Sequence, residues 1–209
     1  MNDRRVRCLG LLVAVFALML GLAGCASPAE QPPAPRFRQD AWGIALWYPE
    51  GWVAGSEAFE VYHACAFGTS EEAVAWDASS VTHTAGGAVL QPLRAGARLN
   101  ISVSPTKDSP DQSSEQYLQG LASQMGAFEK DVKVGELEPC AIGGEEGFVL
   151  TWEGMRPGAV VPLKSSLAVI RHGDWDYRLQ FDAVLEEWSE HSPDFEKILA
   201  SVRFIDTEE

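Results

Sequence analysis

Cysteines, histidines and paired carboxylates are the residues of this 209-residue chain that could carry chemistry. A thiol can act as a nucleophile, accept a covalent group or join a second thiol in a disulfide. The four cysteines are Cys8, Cys25, Cys65 and Cys140. Cys25 directly follows an apolar run and the small residue Gly24, which leaves the backbone at this point open to a protease.

The residues before Cys25 have the features of an export signal. Arg4, Arg5 and Arg7 form a short basic head. The uncharged apolar run over residues 9–22 would be about 21 Å long as a helix. A membrane span needs roughly 20 residues, or about 30 Å, so this run is too short to cross a membrane. A basic head, an apolar run of this length and small residues at its end are typical of a secretory signal.

The stretch Leu22-Ala23-Gly24-Cys25 resembles the bacterial lipobox over its full length. In that family the cysteine thiol receives diacylglycerol and the chain is cut just before it. The resemblance therefore implies that Gly24 is the last residue removed and that Cys25 is the lipidated first residue of the mature protein. Two acyl chains on one residue would hold it outside the cytoplasm, on the cell membrane or the outer membrane. The alternative is an uncleaved N-terminal anchor whose cysteine is incidental.

We divide the chain into a signal peptide (1–24), a lipidated cysteine with a proline-rich tether (25–38) and one folded domain (39–209). Four prolines in the tether favour an extended conformation. The formal charge is −14, and it becomes about −16 when residues 1–24, with three Arg and one Asp, are removed. Because such a chain repels phosphate backbones, we expect no nucleic-acid partner. The expected partners are the membrane, through the lipid, and a protein or small ligand that the sequence does not identify.

Cys65 and Cys140 are the two cysteines that remain for the folded domain. In an oxidising compartment such a pair is commonly bridged, and closing this loop would contribute about 4 kcal/mol if the geometry allows it. The alternative is two buried free thiols. No Cys-x-x-Cys occurs in the sequence, so a thioredoxin-type redox function lacks its motif.

The remaining candidates for chemistry are isolated. The four histidines are too far apart in sequence to form a local metal pair, and His63 beside Cys65 is expected to be structural. The sequence contains no Gly-x-Ser-x-Gly, His-Glu-x-x-His, Walker-type or Gly-x-Gly-x-x-Gly motif. We therefore predict no enzyme, no cofactor and no metal, and expect the carboxylate pairs to lie in solvated turns. These pairs are Glu145-Glu146, Asp174/Asp176 and Glu186-Glu187.

Alternating apolar residues predict the strands that would position any site. The pattern is clearest over residues 97–104, where Leu99, Ile101 and Val103 share one face. A hairpin is predicted across His172-Gly173-Asp174. The other predicted strands are 42–48, 59–67, 132–140, 146–155, 163–171, 175–184 and 203–206.

Capping residues predict the helices. Ser113 and Gln116 fit a capping box for an amphipathic helix over residues 114–128. Ser192-Pro193 fits an N-cap followed by Pro at the first helical position of a closing helix. Residues 71–77 fit a short helix, and the pattern leaves the rest of the segment 68–95 unassigned.

The order of these elements never alternates strand, helix and strand, which favours an α+β fold with a central antiparallel sheet flanked by helices. Three features resemble the PsbP-like superfamily, which includes DcrB-type and LpqN-type bacterial lipoproteins. They are the run Trp47-Tyr48-Pro49-Glu50-Gly51-Trp52, the capped helix over 114–128 and the closing segment Phe195–Phe204.

This resemblance covers about residues 39–206 and implies a central antiparallel sheet with helices on both faces. It also implies non-catalytic roles, as extrinsic subunits of photosystem II or as envelope proteins, some of which bind lipid or small ligands. We therefore expect a lipid-anchored, extracytoplasmic binding or accessory protein of the bacterial cell envelope. The alternatives are an envelope hydrolase whose site is assembled from distant carboxylates, and a purely structural envelope protein.

Overall fold

The computed structural model describes residues 33–58, 63–77, 89–90, 92–108, 110–128, 131–155 and 160–205. The strands in these residues are β1 (Phe37–Gln39), β2 (Ile44–Leu46), β3 (Val53–Ala58), β4 (His63–Gly68), β5 (Trp76–Asp77), β6 (Val89–Leu90), β7 (Ala97–Pro105), β8 (Lys133–Ile142), β9 (Glu145–Gly154), β10 (Leu163–His172), β11 (Trp175–Val184) and β12 (Arg203–Phe204). The α-helices are α1 (Ser114–Phe128) and α2 (Trp188–Ser201). Within the described ranges, no helix combines the length and the apolar character needed to cross a membrane.

Seven strands form one sheet in the order β3-β4-β7-β11-β10-β9-β8. Every neighbouring pair in this sheet is antiparallel. The turn Gly173-Asp174 joins β10 to β11, and Gly173 adopts a positive φ of 55°, so the predicted hairpin is confirmed. A small second sheet has the order β1-β2-β12, and β5 pairs with β6.

Helix α2 and the small sheet cover one face of the large sheet, which we call the apolar face. The predicted stripe Leu99, Ile101 and Val103 lies on this face and is fully buried. Phe195 and Ile198 of α2 belong to the same apolar cluster. Burying each such side chain contributes about 1.5–3 kcal/mol relative to leaving it in water, so this cluster is the main source of stability.

Helix α1 packs on the opposite face, over β8, β9 and β10. Leu118 is fully buried there against Leu150 and Trp152. The hydroxyl of Ser113 accepts the backbone N–H of Gln116 (3.1 Å), and the backbone N–H of Ser113 donates to the Gln116 amide oxygen (3.0 Å). This is the predicted capping box, and it explains why α1 begins where the sequence indicated. With helices on both faces of an antiparallel sheet, the predicted α+β fold is confirmed.

The start of α2 corrects a prediction. The helix begins at Trp188, directly after a 3-10 turn over Leu185–Glu187, and not at Ser192-Pro193. Pro193 therefore lies inside the helix, where its ring nitrogen has no N–H to donate to the carbonyl of Ser189. Ser189 is exposed, so water can bond to that carbonyl instead.

Other boundaries also differ. Phe37 and Arg38, which the sequence placed in the tether, belong to β1, and the Phe37 ring packs 5.0 Å from the ring of Phe67. Residues 71–77 contain a turn and β5 in place of a short helix. Gly24, Cys25 and the signal peptide lie outside the described residues.

Candidate functional site: a polar stripe on the sheet

The face of the sheet that carries α1 changes from apolar to polar at β11. The adjacent strands β7 and β11 place every second residue on this face. The residues between them point to the apolar face. We call the resulting set the polar stripe. It consists of Arg98, Asn100, Ser102 and Ser104 on β7, and of Asp176, Arg178, Gln180 and Asp182 on β11.

One end of the polar stripe is a buried ion pair. Asp182 is completely buried, and Arg98 donates from Nε to its Oδ2 at 3.1 Å. The hydroxyl of Ser165 donates to Asp182 Oδ1 at 2.7 Å, and the Gln180 amide lies 3.0 and 3.2 Å from the two carboxylate oxygens. A buried carboxylate needs this kind of charge and hydrogen-bond compensation, so this end is satisfied within the protein.

The other end is a second ion pair, between Arg171 of β10 and Asp176. The guanidinium donates from Nε to Oδ1 (2.8 Å) and from Nη2 to Oδ2 (3.1 Å), which is the two-pronged geometry of a strong arginine–carboxylate pair. The hydrogen bond to Asp176 raises the pKa of Arg171. Arg171 also donates to the carbonyls of Pro110 and Gln112, so it ties the chain before α1 to the sheet.

Arg178, between these ends, is held differently. Its Nη1 donates to the Ser104 hydroxyl at 3.0 Å, and its Cζ lies 4.8 Å from the centre of the Tyr117 ring. No carboxylate among the described residues pairs with it, and its buried Nε has no hydrogen-bond partner there. The buried Oδ1 of Asn100 is also without a partner among the described residues. A buried polar group without a hydrogen bond lowers the free energy of unfolding by about 1–3 kcal/mol. The middle of the stripe therefore carries polar groups whose hydrogen bonds are not all made.

A small pocket opens beside Arg178. Ser113 and Ser114 at the start of α1 line it, together with Tyr117, Asp176 and Arg178. It has room for about one water molecule, so it gives a small polar group access to the edge of the stripe.

Residues 69–77 lie on the far side of the stripe. Val74 packs over β3 and β4, where a Cβ on Gly55 or Gly68 would come within 3.2 and 3.0 Å of its methyl groups. Both glycines are on the same face as the stripe, since Gly68 pairs with Arg98 and Gly55 pairs with β4. Part of the segment 68–95, which the sequence left unassigned, is therefore packed against the sheet, while residues 78–88 lie outside the description.

The two candidate disulfide cysteines are free thiols. Cys65 is on β4 and Cys140 on β8, the second and the last strands of the sheet order. At about 4.8 Å between neighbouring strands they are roughly 24 Å apart, far beyond the ~7 Å limit between Cα atoms for a disulfide. The bridged alternative is therefore corrected in favour of free thiols. Burial raises the pKa of both, to about 11 for the half-buried Cys140.

The other residues that the sequence singled out do not converge on one site. Glu145 lies 2.7 Å from Nδ1 of His172, and Glu187 accepts the backbone N–H of Gly96 at 2.6 Å. The His63 side chain lies outside the described residues. No group of three or more His, Cys, Asp or Glu side chains that could hold a metal occurs in the part of the chain that the structure describes. The exposed members of the carboxylate pairs are Glu145, Glu146, Asp174 and Glu186, whereas Asp176 is buried.

These elements define an α+β protein with a large antiparallel sheet between two helices and a small second sheet. The sequence matches no protein-family model and no curated protein. Among solved structures, the chain is similar to the cyanobacterial PsbP (CyanoP) of Synechocystis sp. PCC 6803. The TM-score is 0.50 at 12% identity, over 87% of this chain and 98% of that one. The chain therefore has a PsbP-like fold, as the sequence resemblance implied.

Two further structures are similar. One is a protein of Bacteroides thetaiotaomicron VPI-5482, with a TM-score of 0.50 and 14% identity over 84% of this chain. The chain spans 50% of the length of that protein. The other is LpqN of Mycobacterium tuberculosis, which is involved in cell envelope biogenesis, with a TM-score of 0.45 and 13% identity over 78% of this chain and 83% of that one. Identities this low concern the fold and not the function.

Proposed function

We propose that this chain is a binding or accessory protein of the bacterial cell envelope, anchored outside the cytoplasm by lipid on Cys25 and without catalytic activity. The observation that carries the binding part is Arg178, a half-buried guanidinium without a carboxylate partner among the described residues. The lipobox-like stretch before residue 26 supports the anchoring part.

The polar stripe supports binding because, among the described residues, its buried groups without a hydrogen bond, Asn100 Oδ1 and Arg178 Nε, both lie in the middle of the stripe. Both ends are neutralised by aspartates, so the fold is able to satisfy arginines on this face. Ligand sites are commonly preformed, with a few polar groups that fix the ligand in an otherwise packed region. A guanidinium left without an anion in such a setting favours a ligand-binding role.

The same stripe favours binding over catalysis. A general acid or base must be free to exchange a proton with the substrate. The stripe has two carboxylates, Asp176 and Asp182. Asp176 accepts two hydrogen bonds from Arg171. Asp182 accepts one hydrogen bond from Arg98 and another from Ser165. The oxygens of both carboxylates are already occupied by donors from the protein, so neither aspartate is positioned to exchange a proton with a substrate. No contact among the described residues specifically favours the hydrolase or the purely structural alternative.

The anchor is tested by replacing Cys25 with Ser in the full chain expressed in a bacterium. Without a thiol to accept lipid, the variant is expected to stay unprocessed and to lack the acyl chains that give stable membrane association. Cys8→Ser, inside the segment that is removed, is the matched control and should behave as wild type. Fractionation and intact-mass measurement give the readout. Unchanged processing and membrane retention of the Cys25→Ser variant would overturn the anchoring proposal.

A further inference from the structure

We propose that the middle of the polar stripe binds a small carboxylate that also carries a hydrogen-bond donor, that is, a hydroxy or amino acid. Arg178 holds the carboxylate and the Oδ1 of Asn100 accepts the donor. This inference rests on the binding part of the proposed function, gives it a ligand class, and does not depend on the lipid at Cys25.

The pairing register shows that one carboxylate is missing from a repeated pattern. Arg98 stands directly opposite Asp182 on the neighbouring strand, and Arg171 stands directly opposite Asp176. Both arginines on the ends of the stripe therefore have a cross-strand aspartate. Arg178 stands opposite Ser102 on β7 and Val169 on β10, neither of which carries a charge. A ligand carboxylate would occupy the role that an aspartate fills at the two ends.

The guanidinium of Arg178 presents the edge that such a carboxylate uses. Its Nη1 is already engaged with Ser104, while the edge formed by Nε and Nη2 has no carboxylate among the described residues. Arg171 shows the same edge when filled, since its Nε and Nη2 both donate to Asp176. Two parallel charge-assisted bonds of this kind are strong and depend on a planar, two-oxygen acceptor.

Asn100 supplies the second recognition element. Gln180, two residues beyond Arg178 on β11, pairs with Asn100, so Asn100 is the diagonal neighbour of Arg178 across the two strands. Diagonal neighbours lie about 7–8 Å apart, within the reach of long side chains and of a small bridging molecule. The Asn100 Oδ1 can only accept a hydrogen bond, so the group that meets it is a hydroxyl or an amine.

The charges around the site favour a monoanion over phosphate. Among the described residues of the polar stripe, Arg178 is the arginine without a carboxylate, and Asp176 and Asp182 lie two and four residues from it along the same face of β11. The chain as a whole carries a formal charge of −14. The charge of one carboxylate matches that of Arg178, whereas a dianion would meet repulsion from these aspartates that Arg178 alone cannot offset.

The ligand enters from the pocket beside Arg178. The Nε atom is buried and the pocket has room for about one water molecule, so the proposed mode of binding requires the Tyr117 ring, which lies on the guanidinium, to move aside when the carboxylate binds. The Tyr117 side chain is half-buried on the first turn of α1, and its displacement leaves the capping box at Ser113 and Gln116 in place.

The test is a titration of the full chain, purified in detergent, with L-serine, L-lactate, acetate and inorganic phosphate. The NMR signals of the arginine Nε–H groups and of the Asn100 side-chain amide report contact directly. Serine and lactate are expected to shift the Arg178 Nε–H signal with a Kd of about 1 mM or lower. Acetate, which has no donor for Asn100, should bind about tenfold more weakly.

Ser102→Asp is the decisive variant because it places an aspartate directly opposite Arg178, as at the two ends of the stripe. Ser102→Asp should weaken the binding of serine and lactate by at least about tenfold. Ser102→Ala should bind both ligands as the wild-type protein does. Arg178→Lys keeps the positive charge but removes the planar guanidinium that donates two parallel hydrogen bonds. It should therefore also weaken binding by at least about tenfold. Arg94→Gln, at an exposed arginine, is the control. Circular dichroism melts show that each variant is folded.

Three results would overturn the inference. The first is no shift of the Arg178 signal by about 10 mM serine or lactate on folded wild-type protein. The second is unchanged binding by folded Ser102→Asp and Arg178→Lys. The third is phosphate binding as tight as lactate binding. Each can occur while Cys25→Ser still loses membrane anchoring, so failure of the ligand class and failure of the anchor are distinguishable.

Discussion

The two faces of the large sheet differ in the kind of side chain that they bury. Phe181 and Asp182 are consecutive residues of β11, both are completely buried, and they point to opposite faces. Phe181 stacks 5.1 Å from the ring of Phe195, whereas Asp182 is compensated by Arg98 and by neighbouring polar groups. On the apolar face, burial itself supplies stability. On the polar face, burial is tolerated only where partners are present.

The difference shows where the protein can specify a ligand. Packing on the apolar face is non-directional and leaves no polar group of Tyr177 unmet, since its hydroxyl donates to the Trp42 carbonyl at 2.7 Å. Pairing on the polar face is directional and, among the residues that the structure describes, it is complete at both ends of the stripe and incomplete at Arg178. The contrast between complete and incomplete pairing on one face, more than burial itself, marks the candidate site.

The largest expected effect comes from breaking the apolar face at Phe181. Phe181→Ala removes a ring that also packs 5.5 Å from Trp188, and the cavity that remains should lower the free energy of unfolding by about 3–5 kcal/mol. Urea unfolding at neutral pH measures this loss. Val160→Ala, at a position 58% exposed, is the matched truncation and should change stability by less than about 0.5 kcal/mol. Equal effects of the two variants would contradict the assignment of the main core to this face.

Breaking the buried end of the polar stripe comes next. Asp182→Ala leaves Arg98 buried without its carboxylate, and we expect a loss of about 3 kcal/mol in the free energy of unfolding. Asp174→Ala, in the exposed turn between β10 and β11, is the control and should be nearly neutral. A loss below about 1 kcal/mol in the free energy of unfolding for Asp182→Ala would mean that the ion pair between Arg98 and Asp182 does not stabilise this end of the stripe.

A smaller and pH-dependent effect is expected at Tyr177, on the apolar face. Burial, and secondarily Glu145, raises the pKa of Tyr177 to about 12, above the ordinary value of 10.0. The neutral phenol therefore contributes stability that is present below pH 10 and is lost as the pH rises towards 12. Tyr177→Phe should cost about 1 kcal/mol at neutral pH, through the bond to Trp42, and should lose stability less steeply than wild type above pH 10.

Urea unfolding at a series of pH values up to 12 measures this dependence. Tyr48→Phe is the matched control, because the Tyr48 ring stacks on Phe67 at 4.7 Å and is only half-buried. It should keep the alkaline slope of the wild-type protein. Identical slopes for wild type and Tyr177→Phe would show that this hydroxyl does not contribute to the pH dependence.

Local sequence signals predicted the elements whose ends are set locally. Helix α1 was predicted over its observed residues because Ser113 and Gln116 satisfy backbone groups three positions apart. The β10–β11 hairpin was predicted because Gly173 supplies the left-handed conformation that its turn needs. The same kind of signal failed at Pro193, which fits a helix start but is tolerated inside α2.

The polar stripe could not be predicted, because it depends on strand order. In sequence, Arg98, Asn100 and Ser102 alternate with apolar residues and are typical of the solvent side of a half-buried strand. Nothing local indicates that β7 lies beside β11, or that α1 would pack next to it. A cross-strand pattern of Arg opposite Asp was visible only once the register was known. The sequence therefore identified the apolar side of these strands and missed the side that carries the candidate site.

The position of β2 between β1 and β12 has a consequence for biosynthesis. β1 and β2 are close together in the chain, but β12 pairs with β2 from the opposite end of the described residues, with Arg203 beside Ala45. A growing polypeptide on the ribosome holds β2 with one edge open until Arg203 and Phe204 have been synthesised. The small sheet can close only after that point, so a chain truncated before Arg203 should never reach the finished fold.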